Sequence, residues 1–157
     1  MGKPGNFTWI LAGGHARTRL RPKVTKKVTI CREPVVSTDF DPTLLELCGL
    51  PPRPEQHVDG RSFVDLLKEG MLEERPIFWH YPHYGNQGSS PGSAVRLGDW
   101  KLIERYEDGR SLELYNLRED IGETENLISA KSERAKDLLV MLREWRREVD
   151  AKMPTQN

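Results

Sequence analysis

GDWKLIERYEDGRSLELYNLREDIGETENL, Gly98 to Leu127, decides the fold. It alternates apolar and polar residues on either side of Asp108-Gly109. Alternation marks strands, and Asp-Gly between two such runs is a strong hairpin signal. A two-residue loop at Asp108-Gly109 sets Trp100 opposite Leu117, Leu102 opposite Tyr115 and Ile103 opposite Leu114. It also sets Glu104 opposite Glu113, a like-charge pair that a bulge or longer loop would relieve. Both faces carry apolar residues, so one face covers the chain's own helix and the other leans on something else. Asp120, Glu123 and Asn126 read as a turn-and-cap device, short polar groups binding backbone N–H. Trp100 reads as hairpin packing and Lys101 as solvated.

Outward from the hairpin, the pattern after Ser132 is helical to about Lys152. Ala135, Leu138, Leu139, Leu142, Trp145 and Val149 fall on one stripe, with charged residues opposite. About twenty residues makes roughly 30 Å of helix, enough to cross a small sheet. Ser132 is the expected N-cap. Upstream, RPIFWHYPHYG is an aromatic strand bracketed by Pro76 and Pro82, and GNQGSSPGS is a flexible loop by composition.

Two short helices precede it. STDFDPTLLELCGLPP offers cap oxygens at Ser37, Thr38, Asp39 and Asp41, with Pro42 in the first turn and Gly49 as the stop. Leu44, Leu45 and Leu47 make its apolar patch, and Cys48 reads as a small core residue. DGRSFVDLLKEG starts at Ser62 with Asp65 as a near capping box, and stops at Gly70. His57 reads as an exposed loop residue. Residues 1–30 show no sustained period and read as a poorly ordered leader. The coarse picture is α+β: an antiparallel sheet of three or four strands packed by a long C-terminal helix. The earlier helices belong to another core.

The 157 residues balance 24 Lys and Arg against 24 Asp and Glu. That balance argues against a generic nucleic-acid binder or membrane-surface binder, both of which need a basic excess. No apolar run approaches the ~20 residues of a membrane span. The apolar part of FTWILAGG is shorter than the roughly 7–15 residues of a secretory signal, so no signal peptide is expected. Cys31 and Cys48 make no disulfide framework and lack zinc-ligand spacing.

Four segments together resemble the sulfatase family, most closely bacterial relatives of arylsulfatases and N-acetylgalactosamine-6-sulfatases. LYNLREDIGETENL resembles the family's L-Y-x-L-x-x-D-x-x-E-x-x-N-L, matched by Leu114, Tyr115, Leu117, Asp120, Glu123, Asn126 and Leu127. AVRLGDWKLI resembles its A-V-R-x-G-D-W-K-L strand, STDFDPTLLELCGLP its S-x-D-x-x-P-T-L-L helix, and DGRSFVDLL the D-G-x-S that follows. Pro22 to Lys26 resembles a remnant of the preceding W-P-G segment. The resemblance implies the C-terminal subdomain of an alkaline-phosphatase-like sulfatase over residues 73–153. Residues 31–72 would be a remnant of the catalytic domain and 1–30 an unassigned leader.

The family's catalytic residue is a Cys or Ser in C-x-P-S-R, oxidised to formylglycine, with calcium beside it. Cys31 stands in CREPV and Cys48 in CGLPP, so neither fits. No acidic cluster here supplies the roughly six oxygens calcium takes. The resemblance therefore implies no catalytic residue and no metal ligand in this chain, although the complete enzyme would hold calcium and formylglycine. It also places His80, His83 and Tyr84 at the rim of the sulfate pocket, as substrate-binding residues able to stack on or hydrogen-bond a sugar. The two imidazoles would suit a transition-metal pair, but no third ligand accompanies them. Arg96 reads as a surface arginine. The expected partner is a sulfated carbohydrate, once a catalytic domain completes the site. The chain alone is expected to be inactive, as a truncated product or one with a misplaced start. A stand-alone sugar-binding or accessory module and an unstable orphan are the alternatives. Localisation is left open.

Overall fold

The computed structural model describes residues 31–68, 70–85, 90–107 and 111–154. The expected leader, the centre of the GNQGSSPGS loop and the Asp108-Gly109 turn lie outside the described residues. The chain forms two compact units that divide between Glu73 and Glu74.

In the first unit, a 3₁₀ turn over Ser37–Asp39 leads into α1, Phe40–Leu47, and a one-turn α2 follows at Val64–Leu67. Asp39 is 1% exposed and does not cap α1. Its carboxylate accepts the Val36 N–H and, from the second segment, the Arg61 N–H, each at 2.8 Å. Thr43 donates to the Asp39 carbonyl at 2.6 Å and accepts the Phe63 N–H at 3.0 Å. Gly60 permits this approach, because a Cβ there would stand 2.3 Å from the Thr38 carbonyl oxygen. The rings of Phe40 and Phe63 meet edge to face at 5.3 Å. A buried polar clasp thus holds two helices too short to be stable alone. The expected Ser62 cap is replaced by a bond from the Val64 N–H to the Ser62 hydroxyl, with Phe63 at the cap position.

Leu44, part of the apolar patch, is exposed. Two readings of this unit are corrected. Cys48 is exposed rather than packed, because it falls at the C-cap, past the last turn of α1. His57 is not an open-loop residue; its side chain is 10% exposed and its Nε2 meets the Asp41 carboxylate.

The second unit is a four-stranded antiparallel meander, β1 Ile77–Tyr81, β2 Gly92–Leu97, β3 Trp100–Arg105 and β4 Leu112–Asn116, in that order, followed by α3, Ser132–Glu148. The Ala94–Ile103 stretch is two strands rather than one. Gly98 has φ +59°, so Gly98 and Asp99 alone connect Leu97 to its partner Trp100. The β3–β4 register also differs by one residue from the two-residue-loop expectation. Trp100 pairs with Asn116, Leu102 with Leu114 and Glu104 with Leu112. The shift removes the Glu104–Glu113 clash and brings Leu102 and Leu114 onto one face.

That face meets α3. Val95, Leu102 and Leu114 pack against Ala135, Leu138 and Leu142, all essentially buried. Phe78 and Trp145 stack nearly parallel at 4.8 Å. Lys131 rather than Ser132 stands at the N-cap, and Val149 is 49% exposed, because α3 ends at Glu148. The opposite face gathers Ala94, Ile103, Tyr115 and Leu117 with Trp79.

Candidate functional site

β1 alternates its side chains, and this separates the expected site residues. His80 turns to the α3-covered face. Its Nδ1 lies 2.7 Å from the Ser93 hydroxyl and 3.0 Å from the Tyr106 hydroxyl, and its Nε2 lies 2.8 Å from the Lys152 carbonyl oxygen. The Ser93 and Tyr106 hydroxyls contact each other. Arg146 donates to the Tyr106 hydroxyl at 2.8 Å and carries its guanidinium 5.8 Å above the Tyr106 ring. The Arg146 Nη2 also lies 2.6 Å from Glu104 Oε2. That contact is off the hydrogen-bond angle, so it acts through charge. Glu104 and Ser93 are each 1% exposed.

His83 and Tyr84 lie beyond the end of β1 and are exposed. The His83 ring meets the Tyr81 ring edge-on at 5.8 Å. The hydroxyls of Ser90 and then Tyr84 hold the Glu107 carboxyl below its usual range. Glu107 therefore ties the two ends of the 82–91 loop together. The structure brings His83 near Tyr81, and Tyr84 to Glu107. It commits both nitrogens of His80 elsewhere.

On the face away from α3, Lys101 is 4% exposed, not solvated as its sequence reading had it. Its Nζ lies 2.7 Å from Glu123 Oε1. Burial pushes the Lys101 ammonium's pKa down, and Glu123 pulls it the other way. Arg105 clamps Glu113 at 2.6 and 3.2 Å, and Tyr115 donates to the same carboxylate at 3.1 Å. Burial and the nearby Glu113 charge push the Tyr115 phenol up. Asp120 and Asn126 do perform turn work. Asp120 accepts the N–H of Thr124 and Glu125, and Asn126 accepts those of Leu114 and Ile128. Glu123 does not, because it is spent on Lys101.

Arg146, Glu104, Ser93 and Tyr106 escaped the sequence reading. Arg146 continues the spacing of Ala135, Leu138 and Leu142, and Glu104 follows Leu102 in alternation, so periodicity marks both positions as internal. Ser93 beside His80 has the look of a nucleophile and base. At 1% exposure, though, it is closed off from solvent. Among the described residues no three His, Cys, Asp or Glu gather to hold a metal ion. No helix among them is long and apolar enough to cross a membrane.

A four-stranded meander closed by one long helix, with a clasped helix pair before it, is the C-terminal architecture of alkaline-phosphatase-like sulfatases. Residues 18–150 match the family described as N-sulphoglucosamine sulphohydrolase, C-terminal, and the chain belongs to that family. It is similar to a sulfatase of Formosa agariphila, 39% identical over 126 residues, spanning 71% of this chain and 23% of the relative. It is also similar to arylsulfatase K of Danio rerio, at 29% identity over 70% of this chain and 21% of the relative. A protein solved in complex with its substrate, D-glucosamine-2-N,6-O-disulfate, superposes with a TM-score of 0.60 at 26% identity, over 74% of this chain and 24% of that one. The chain thus spans about a quarter of the length of the relatives it matches.

Proposed function

We propose that this chain supplies the C-terminal part of a sulfuric ester hydrolase acting on sulfated carbohydrates, and that its 157 residues do not hydrolyse sulfate esters by themselves. The observation that carries this reading is the match itself: it covers the C-terminal family region and about a quarter of each relative. Neither cysteine stands in C-x-P-S-R. A relative in fold acts on a disulfated glucosamine, which supports the substrate class.

In this reading His83 and Tyr84 are the substrate contacts, on a loop held by a rigid sheet. His80 is a positioning residue that fixes the strand delivering them. Residues 31–72 belong with a catalytic domain and 73–153 form the subdomain. The test is a sulfate-release assay on the pure chain with sulfated glucosamine, alongside titration of the same sugar followed by amide NMR. The expected outcome is no turnover, with any shifts confined to residues 81–85 and 105–107. Turnover that survives removal of both cysteines refutes the reading.

The exposed rings of Tyr81, His83 and Tyr84 favour a second reading, a sugar-binding module that works alone. Saturable sugar binding by the isolated chain, abolished in His83→Ala with Tyr84→Ala, would select it.

A further inference from the structure

The polar chain through His80 has a direction. The Lys152 carbonyl can only accept, so the His80 Nε2 facing it at 2.8 Å carries the hydrogen. Arg146 can only donate, so the Tyr106 oxygen accepts from it at 2.8 Å. Between them stand three atoms in mutual contact: the Ser93 hydroxyl, the Tyr106 hydroxyl and His80 Nδ1. Two hydroxyl hydrogens serve this triangle when Nδ1 is a bare acceptor, and each finds a lone pair. A proton on Nδ1 adds a third hydrogen and removes an acceptor. One hydrogen is then left without a partner beside buried Ser93.

We propose that His80 is locked in the fold as the neutral Nε2–H tautomer and works as a proton-operated latch between β1, the end of α3 and the segment that follows it through Lys152. The latch joins five points. His80 stands on β1, Ser93 on β2, Tyr106 just after β3 and Arg146 on the last turn of α3. The fifth is Lys152, in a tail that doubles back through Asp150, whose φ is +48°. The Ala151 N–H is itself bonded to the Arg146 carbonyl at 2.9 Å, so Arg146 and the tail move together.

The charged groups on this side of His80 are paired among themselves. Arg146 on α3 is the cation on that side, and Glu104 on β3 neutralises it at 2.6 Å, with Arg143 a further 3.8 Å contact. The Lys152 ammonium is turned to Asp150 at 2.5 Å. Charging His80 forces the triangle to reorganise. Tyr106 must turn from Ser93 or from Arg146, and the end of α3 loses its tie to β1. The latch does not depend on the sugar-rim reading, since neither His83 nor Tyr84 takes part.

The experiment is nitrogen-15 NMR of the full chain from about pH 8 to about pH 5.5, the range in which histidine changes charge. At the upper pH the His80 ring is expected to show a protonated Nε2 and a bare Nδ1. As His80 charges, the amide of Ala151, bonded to the Arg146 carbonyl, is expected to exchange with solvent about tenfold faster, the size of one buried donor left unpaired. In His80→Gln that acceleration is expected to vanish. A Nδ1–H tautomer at the upper pH overturns the proposal, whether or not the variant folds. So does a tail whose exchange ignores the charging of His80.

Discussion

Lys101 Nζ lies 2.7 Å from Glu123 Oε1, and the two side chains are only 5% and 6% exposed. Glu123 reaches this position from a backbone with φ +53°, a conformation that side chains other than glycine seldom adopt. The pair therefore fixes the loop after β4 as well as the sheet face. Glu123→Ala leaves a buried ammonium without its counter-charge, and the expected loss is about 3–5 kcal/mol. Lys101→Met combined with Glu123→Leu is expected to be much less harmful than the single change. Urea unfolding of the three variants checks both statements, and a double variant as unstable as Glu123→Ala would contradict them.

The same pair sets an alkaline trend. Burial lowers the Lys101 pKa in the fold, so the unfolded chain holds that proton more tightly. Stability carried by this group therefore rises with pH between the lowered value and the ordinary lysine value near ~10.4. The stability of the wild type relative to Lys101→Met is expected to climb over that window. A flat difference would show that Glu123 cancels the burial cost.

Asp120 predicts a trend of the same sign in the acid range. The backbone N–H of Glu125, and next to it that of Thr124, hold its carboxyl below the usual range. A lowered carboxyl contributes stability that is present above the unfolded value near ~3.9 and is lost as pH falls through the folded one. Asp120→Asn is expected to be less stable than wild type at neutral pH and equal to it in acid. Thermal melts at a series of pH values read the convergence. A gap that stays constant into acid would assign the loss to shape rather than charge.

These residues show which parts of the fold were written locally. The β3 and β4 alternation, the α3 stripe and the Asp120 turn depend on neighbours in sequence, and they were legible, whereas Asn126 also holds the Leu114 N–H 12 positions back. The β3–β4 register was not, because a one-residue slip turns on the loop that joins the strands. Lys101 looked solvated because its partner stands 22 positions away. Asp39 looked like a cap because its second customer, the Arg61 N–H, is also 22 positions away. The same holds for His80, whose partners come from β2, the stretch after β3 and the tail. Of the expected rim residues, His83 and Tyr84 stand exposed.

The position of Cys48 gives a direct chemical check. Both cysteines are exposed and free, Cys48 at the end of α1 rather than beneath it. An aromatic disulfide reagent is expected to titrate both thiols in the native chain without denaturant. A thiol that appears only on unfolding would restore the packed reading of Cys48 and contradict the α1 orientation.

Leu138 and Val149 belong to one apolar stripe by spacing, yet the fold treats them differently. Leu138 is 0% exposed between Val95, Leu102 and Leu114, whereas Val149 is 49% exposed beyond the last turn of α3. Truncating Leu138 leaves a cavity in a wall built from three strands and a helix, and Leu138→Ala is expected to cost about 2–5 kcal/mol. Val149→Ala removes surface that water already reaches, and it should stay within about 0.5 kcal/mol of wild type. Arg146 inherits the internal place that the stripe assigns to its fourth turn, so its loss should behave like Leu138 rather than like Val149. Arg146→Met keeps the aliphatic stem but removes the closer of the two arginines at Glu104, leaving only Arg143 at 3.8 Å, and about 3–5 kcal/mol is expected to go with it. Equal, small effects at Leu138, Arg146 and Val149 in denaturant unfolding would mean that α3 does not seat on the sheet through this row.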